Sequence, residues 1–421
     1  MGGAERGAGV FQRPIHGRLW VAWAVLCAAA GPAWGQEAGR LSEAEVVERA
    51  RGYGPWREAQ AGEEKRAASE VLGEEAWPGA SVGFLHEEIF PDQQTREETL
   101  IVSQPFDLSG RRGLRQEAAR RRVQAQGFER EARGVERGAL ARERFYLLMA
   151  AQRRWEAARR WEAQVGQVER LLERREAAGL SSRYDRERVA RELERARALV
   201  AREGGEVLEA WRALAGLWGG SEGEAPSLEG ELLPSAPGSL EARVEGVRRG
   251  PSWRGAQARA EASERDRAAS EVWLPPMSVG LGWRRLDSQG QAGQGFAVEL
   301  GMDLPWGGQR EASRVEAQGA GEQARAELEG LELEGASEVR RLYEALVGLR
   351  GQAEERRAAL GRSQGFLELA REGYERGQLG ILEVLEAARL CLEDELELAE
   401  LEREARLRAV ALDVWSGGEE P

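Results

Sequence analysis

The chain has 421 residues, room for two or three ordinary domains, and carries 60 basic against 73 acidic residues. The net charge of −13 excludes the basic face of a nucleic-acid binder. Charged residues reach 32%, but the apolar residues recur with helical and strand periods, so long amphipathic helices are expected rather than disorder.

Arg13, His16 and Arg18 precede an apolar stretch, Leu19 to Ala30, and Ala33-Trp34-Gly35 then offers small residues for cleavage. This is the pattern of a secretory signal peptide over 1–35, too short and wrongly flanked for a membrane span. Leu26 before Cys27 spoils a lipoprotein box. The mature chain would keep Cys391 alone and could form no internal disulfide. No later run of 18 apolar residues predicts a transmembrane helix.

Ser42 with Glu45 three residues on is a capping box and opens a helix. Strands are expected at about 80–90 and 98–108. In "SQPFDLSGRRGLR" (103–115) the period-2 pattern meets Pro105 and Gly110 and gives way to a helix over about 110–178. Gly179-Leu180-Ser181-Ser182 breaks it, and a helix over about 182–218 returns with Val189, Leu193, Ala196, Val200, Val207 and Leu214 at three- and four-residue steps. The stretch 219–239 is rich in Gly, Pro and Ser and reads as a linker.

The plan then repeats. "PWREAQA" (55–61) returns as "PSWRGAQA" (251–258), "RAASEV" (66–71) at 267–272, and "SVG" (81–83) at 278–280. The chain therefore divides into a first repeat (36–218), the linker, a second repeat (240–415) and a tail (416–421). The second repeat predicts strands at about 277–286 and 295–304, Pro305 and Gly308 at the junction, and helices over about 308–376 and 380–415. Gly110 to Gly179 and Gly308 to Gly377 are both 69 positions apart. Each long helix would run about 100 Å at 1.5 Å per residue, which no single compact domain contains.

Met277, Val279, Leu281 and Trp283 alternate with Ser278, Gly280, Gly282 and Arg284; Phe296, Val298, Leu300 and Met302 alternate with Gly295, Ala297, Glu299 and Gly301. Strands apolar on one face and about ten residues long suit an outer-membrane barrel. The competing reading is a small soluble sheet on a core, but the helices bury their stripes on one another. Four strands cannot close a barrel and open edges cannot stand in lipid, so such a chain must oligomerise: two chains give eight strands, three give twelve.

No catalytic, cofactor or metal constellation is visible. His86 is isolated in a strand, Cys391 sits between Leu390 and Leu392 as packing, and Ser181 and Ser182 have no His near them. The runs of Glu and Arg read as solvated helix faces.

"SQPFDLSGRRGLRQEA" (103–118) resembles the strand-to-helix junction of the TolC-like outer-membrane efflux proteins, in their CzcC-like metal-efflux branch. "AAGLSSRYDRERV" (177–189) and "YERGQLGILEVLEA" (374–387) resemble that family's two periplasmic tips. The resemblance spans nearly the whole mature chain. It implies a mainly α fold with a small membrane β-barrel portion: a homotrimer with one twelve-stranded barrel in the outer membrane and a coiled-coil tunnel across the periplasm. It implies a passive, gated export conduit and no enzyme, working with a periplasmic adaptor and an inner-membrane pump of the resistance-nodulation-division type. Gly179, Leu180, Ser181, Ser182, Gly377, Gln378, Leu379 and Gly380 would form adaptor-docking tips. Asp185, Tyr374, Glu383 and Glu386 match the family's periplasmic gate. The family carries Asp where this chain has Glu383 and Glu386, and an Arg where it has Leu379, so Arg183 is the candidate replacement. Two rivals remain at this level: an outer-membrane component of type I protein secretion, and a periplasmic coiled-coil adaptor or scaffold without a barrel.

Overall fold

A computed structural model describes residues 40–89, 95–179, 181–220, 223–288, 290–302 and 308–417. The expected signal peptide, Leu180 and Pro305 lie outside the described residues.

Helix α1 (Glu43–Gly52) opens on the expected capping box, with both the Ser42 and the Glu45 bonds made. Tyr53 separates it from α2 (Gly54–Glu75), whose first turn carries Pro55. Strands β1 (Ser81–Ile89) and β2 (Thr95–Phe106) follow, then α3 (Arg111–Ala177) and α4 (Arg183–Ala215), which ends in a 3-10 turn, Gly216–Trp218. The second repeat gives α5 (Leu240–Gly246), α6 (Pro251–Glu271), β3 (Met277–Ser288), β4 (Gln291–Met302), α7 (Gln309–Glu375) and α8 (Ile381–Trp415).

Helices α3 and α7 are both 67 residues long. The same backbone device bounds them. Gly110 and Gly308 start them at φ 78° and 81°, and Gly179 and Gly377 follow their ends at φ 72° and 74°. Only glycine holds this left-handed conformation without a Cβ penalty.

The strands form one antiparallel sheet in the order β1-β2-β3-β4, so β2 of the first repeat pairs with β3 of the second from Thr95↔Ser288 to Phe106↔Met277. The sheet thus crosses the repeat boundary and leaves β1 and β4 as its edges. Its apolar face covers no core: Phe296 is 94% exposed, and Leu281, Val298 and Leu300 are exposed beside it. The opposite face is mainly small or charged, with Gly280, Gly282, Ala297 and Glu299 in register with Ser103 and the larger Ile101. A Cβ at Gly282 would lie 2.5 Å from the Leu100 carbonyl oxygen, so that face must stay small for the strands to pair.

Away from the sheet the helices lie in the order α4, α3, α8, α7, and near the sheet α6 fits between α3 and α7. Three apolar clusters hold them. One runs toward the helical tips, where Trp161, Val165 and Leu172 of α3 meet Val384, Leu385 and Cys391 of α8. Two more form a collar midway, around Phe145 and Leu214 and around Leu342 and Leu412. Within the collar Asp413 accepts bonds from Arg142 at 3.0 Å and Arg243 at 2.9 Å, and Arg142 also pairs with Glu43. These contacts tie the start of α1, the middle of α3, α5 and the end of α8. No described helix is long and apolar enough to cross a membrane.

Candidate functional site: the helical tips and the sheet junctions

Each tip is built by local chemistry. After α3, Gly179 donates to Glu176 O, Ser181 donates its hydroxyl to Leu172 O, and Ser182 caps α4 by accepting from the Asp185 backbone N–H at 3.1 Å. Arg186 forms an ion pair with Glu176, 2.7 Å apart, that braces the two arms. After α7, Gln378 and Leu379 both donate to Gly373 O, at 2.8 and 3.1 Å. The Leu379 side chain lies on Gly373, where an added Cβ would sit 2.7 Å from its Cδ1, and still leaves Leu379 40% exposed. Leu180, the matching apolar residue of the first tip, lies outside the described residues.

The expected gate residues divide between the hairpins. Glu383 and Glu386 are exposed on the first two turns of α8, with Glu383 folded back over Gly380. Asp185 is occupied locally, accepting the Ser182 hydroxyl at 2.7 Å. Arg183 is 80% exposed and reaches Glu187 at 4.0 Å, so within one chain it is not brought to Glu383 or Glu386.

Tyr374 has a different partner. Arg175 of α3 donates to its hydroxyl at 2.8 Å, with the guanidinium carbon 5.3 Å from the ring centre. This contact joins the end of α3 to the end of α7 and borders a 480 Å3 cavity floored by Leu367, Val384 and Ala388. Sequence reasoning missed Arg175. The repeat offset could have found it: Arg175 stands four residues before Gly179 and Tyr374 three before Gly377, so both occupy the same level of paired hairpins.

At the junctions the strand of the first repeat hands over to helix through Asp107. Its carboxylate accepts from the Ser109 N–H at 2.9 Å and the Arg112 N–H at 2.6 Å. Ser109 and Arg112 bonds hold this carboxyl below its ordinary range despite burial, which pushes the other way. The N-terminus of α3 is thereby capped. Among the described residues no cluster of His, Cys, Asp and Glu could hold a metal ion.

A sheet whose exposed face is apolar, standing on helical hairpins about 100 Å long, defines a channel-type protein of the outer membrane. The profile of the outer membrane efflux protein family matches residues 89–220 and 249–418, well over half of the chain, and the chain belongs to that family. It is the outer-membrane channel of an efflux system and extends into the periplasm. Similar solved structures include a membrane protein from Pseudomonas aeruginosa (21% identity, 89% of this chain and 93% of that one, TM-score 0.73). The open state of the Neisseria gonorrhoeae MtrE outer membrane channel is 17% identical over 89% of each chain, with a TM-score of 0.72. The outer membrane protein VceC from Vibrio cholerae is 18% identical over 89% of this chain and 96% of that one, with a TM-score of 0.70. No curated protein sequence matches the chain.

Proposed function

We propose that three copies of this chain close one twelve-stranded barrel and one continuous helical tunnel. The observation that carries this reading is the sheet: four strands, two open edges and an exposed apolar face. Unpaired edges cannot stand in lipid, and three chains supply twelve strands. The helices support the same closure, since α7 is an edge of the protomer along its length and exposes Val315, Leu333, Val347 and Phe366. The protein is expected to fractionate with outer membranes and to have the mass of a trimer in mild detergent. A stable, water-soluble monomer would overturn the reading.

In this assembly the channel receives cargo from an inner-membrane pump of the resistance-nodulation-division type through a periplasmic adaptor. Leu379 and Leu180 are the apolar contacts that dock the adaptor, with Gly179, Ser181, Ser182, Gly377, Gln378 and Gly380 shaping the two turns. Replacing Leu379 by Asp puts a charge into that contact, at a cost of about 1–3 kcal/mol. Channel trimers are expected to form normally while co-purification of the adaptor weakens. Unchanged co-purification from a Leu180→Asp, Leu379→Asp double variant would remove the tips from the docking surface.

The gate on this reading comprises Tyr374, Glu383, Glu386 and Asp185, with Arg175 as the cation inside the chain and Arg183 free to act across the seam to the next protomer. Three copies of Glu383 and Glu386 around one axis make the entrance favour cations.

A further inference from the structure

Directly beneath the sheet, where α6 ends and α7 begins, α3, α6 and α7 border an open pocket of 560 Å3. Three arginines line it, Arg111, Arg115 and Arg310, together with Ser270, Ser313 and Trp273. Its acidic groups are Asp266, already bonded to Arg122 at 2.6 Å, and Glu316. The balance is cationic. Arg111 is anchored by donating one Nη to Val272 O at 2.7 Å. The first turn of α7, which begins at Gln309, lies at the same pocket. Three guanidinium groups around one pocket, with the first turn of a helix beside them, suit a phosphate group.

The position indicates which phosphate. Trp273 is 72% exposed, and the apolar strand face begins four residues later at Met277, with Val279 and Met302 exposed above it. At the other junction Trp77 is 66% exposed and packs edge-on against Phe106 at the lower end of β2. Exposed indoles at the foot of an apolar band mark the membrane interface, and basic pockets at that level hold lipid head groups.

We infer that this pocket is a binding site for the phosphate of an anionic glycerophospholipid in the inner leaflet of the outer membrane, with the acyl chains lying along the strand face above. The site lies within one chain, so it fixes the angle between sheet and tunnel in each protomer independently of ring closure.

The test uses the full-length protein, delipidated in detergent, and native mass spectrometry with palmitoyl-oleoyl phosphatidylglycerol as the probe. One retained lipid per chain is expected. The Arg115→Gln, Arg310→Gln variant is expected to lose at least tenfold in lipid affinity, and Arg115→Lys, Arg310→Lys to recover part of it. Trp273→Ala is expected to weaken retention without changing assembly mass. Equal retention of phosphatidylcholine, or unchanged retention by the Gln variant, would reduce the site to nonspecific annular contact and overturn the inference. Displacement of the lipid by millimolar inorganic phosphate would also overturn it, by making the pocket a site for a soluble anion. If the Gln variant fails to fold, Trp273→Ala and the Lys variant decide. Failure of trimer assembly, read from the same spectra, is a separate outcome, because lipid is counted per chain.

Discussion

On the proposed gate, the Arg175→Ala channel is expected to conduct more at rest than the parent. Ion pairs hold α3 to α8 at Arg153–Glu402, Arg154–Glu400 (3.5 Å) and Arg160–Glu395 (2.8 Å). Toward the tip from there, the described contacts between the hairpins are apolar until Arg175 meets Tyr374. A hydrogen bond from a charged donor contributes about 1.5–3 kcal/mol, and each 1.4 kcal/mol is a tenfold change in an equilibrium. Removing the guanidinium therefore shifts the closed–open balance by roughly ten- to a hundredfold. Single-channel recording in planar bilayers reads the change directly. Tyr374→Phe loses the hydroxyl acceptor but keeps the ring beneath the cation, so its conductance is expected to fall between the two. Glu383→Gln with Glu386→Gln addresses the same entrance through charge. In the proposed trimer, like charges a few Å apart would repel by about 1–4 kcal/mol per pair, and a ring of them would attract cations. The double variant is expected to lose cation preference and block by divalent ions while trimers remain intact. Parent-like conductance in Arg175→Ala and parent-like selectivity in the double variant would place the constriction elsewhere along the tunnel.

The second large effect is expected in the collar. Asp413→Ala removes the carboxylate that accepts from Arg142 and Arg243, two arginines whose side chains are each only 13% exposed. Burial pushes the Asp413 carboxyl above its ordinary range, while the two guanidinium groups pull it down. Breaking such a buried arrangement from one side costs about 3–5 kcal/mol, since both desolvated cations lose the carboxylate they share. Glu43 still faces Arg142, so the loss is expected near the lower end, about 3 kcal/mol. Asp413→Asn keeps an acceptor and is expected to cost less. Thermal unfolding followed by circular dichroism in detergent measures both, and an unchanged midpoint for Asp413→Ala would show the network adds nothing net.

The sheet shows why strand limits were harder to read than strand identity. The alternation of Leu100, Val102 and Phe106 marks β2, yet its ladder starts at Thr95, and β4 starts at Gln291 rather than near 295. Backbone pairing with β3 carries the ladder across Arg96, Glu97 and Gly293, where no apolar pattern signals it. Backbone hydrogen bonds extend a strand whatever the side chain, so hydrophobic period alone shortens it.

By itself the sequence determined everything that is local. The capping box at Ser42, the glycines that start and end both long helices, the alternating strands and the duplicated order follow from near-neighbour requirements on backbone and side chain, and such requirements leave a pattern in a single stretch of chain. The tertiary structure decided what depends on distant partners. It set the pairing of β2 with β3 across the repeats, gave Tyr374 its partner Arg175 from 199 residues away, and gave Asp413 its partner Arg142 from 271 residues away. In a chain dense with arginines no single one carries a local mark, because the property that distinguishes Arg175 or Arg142 is the electrostatic environment that folding assembles around it.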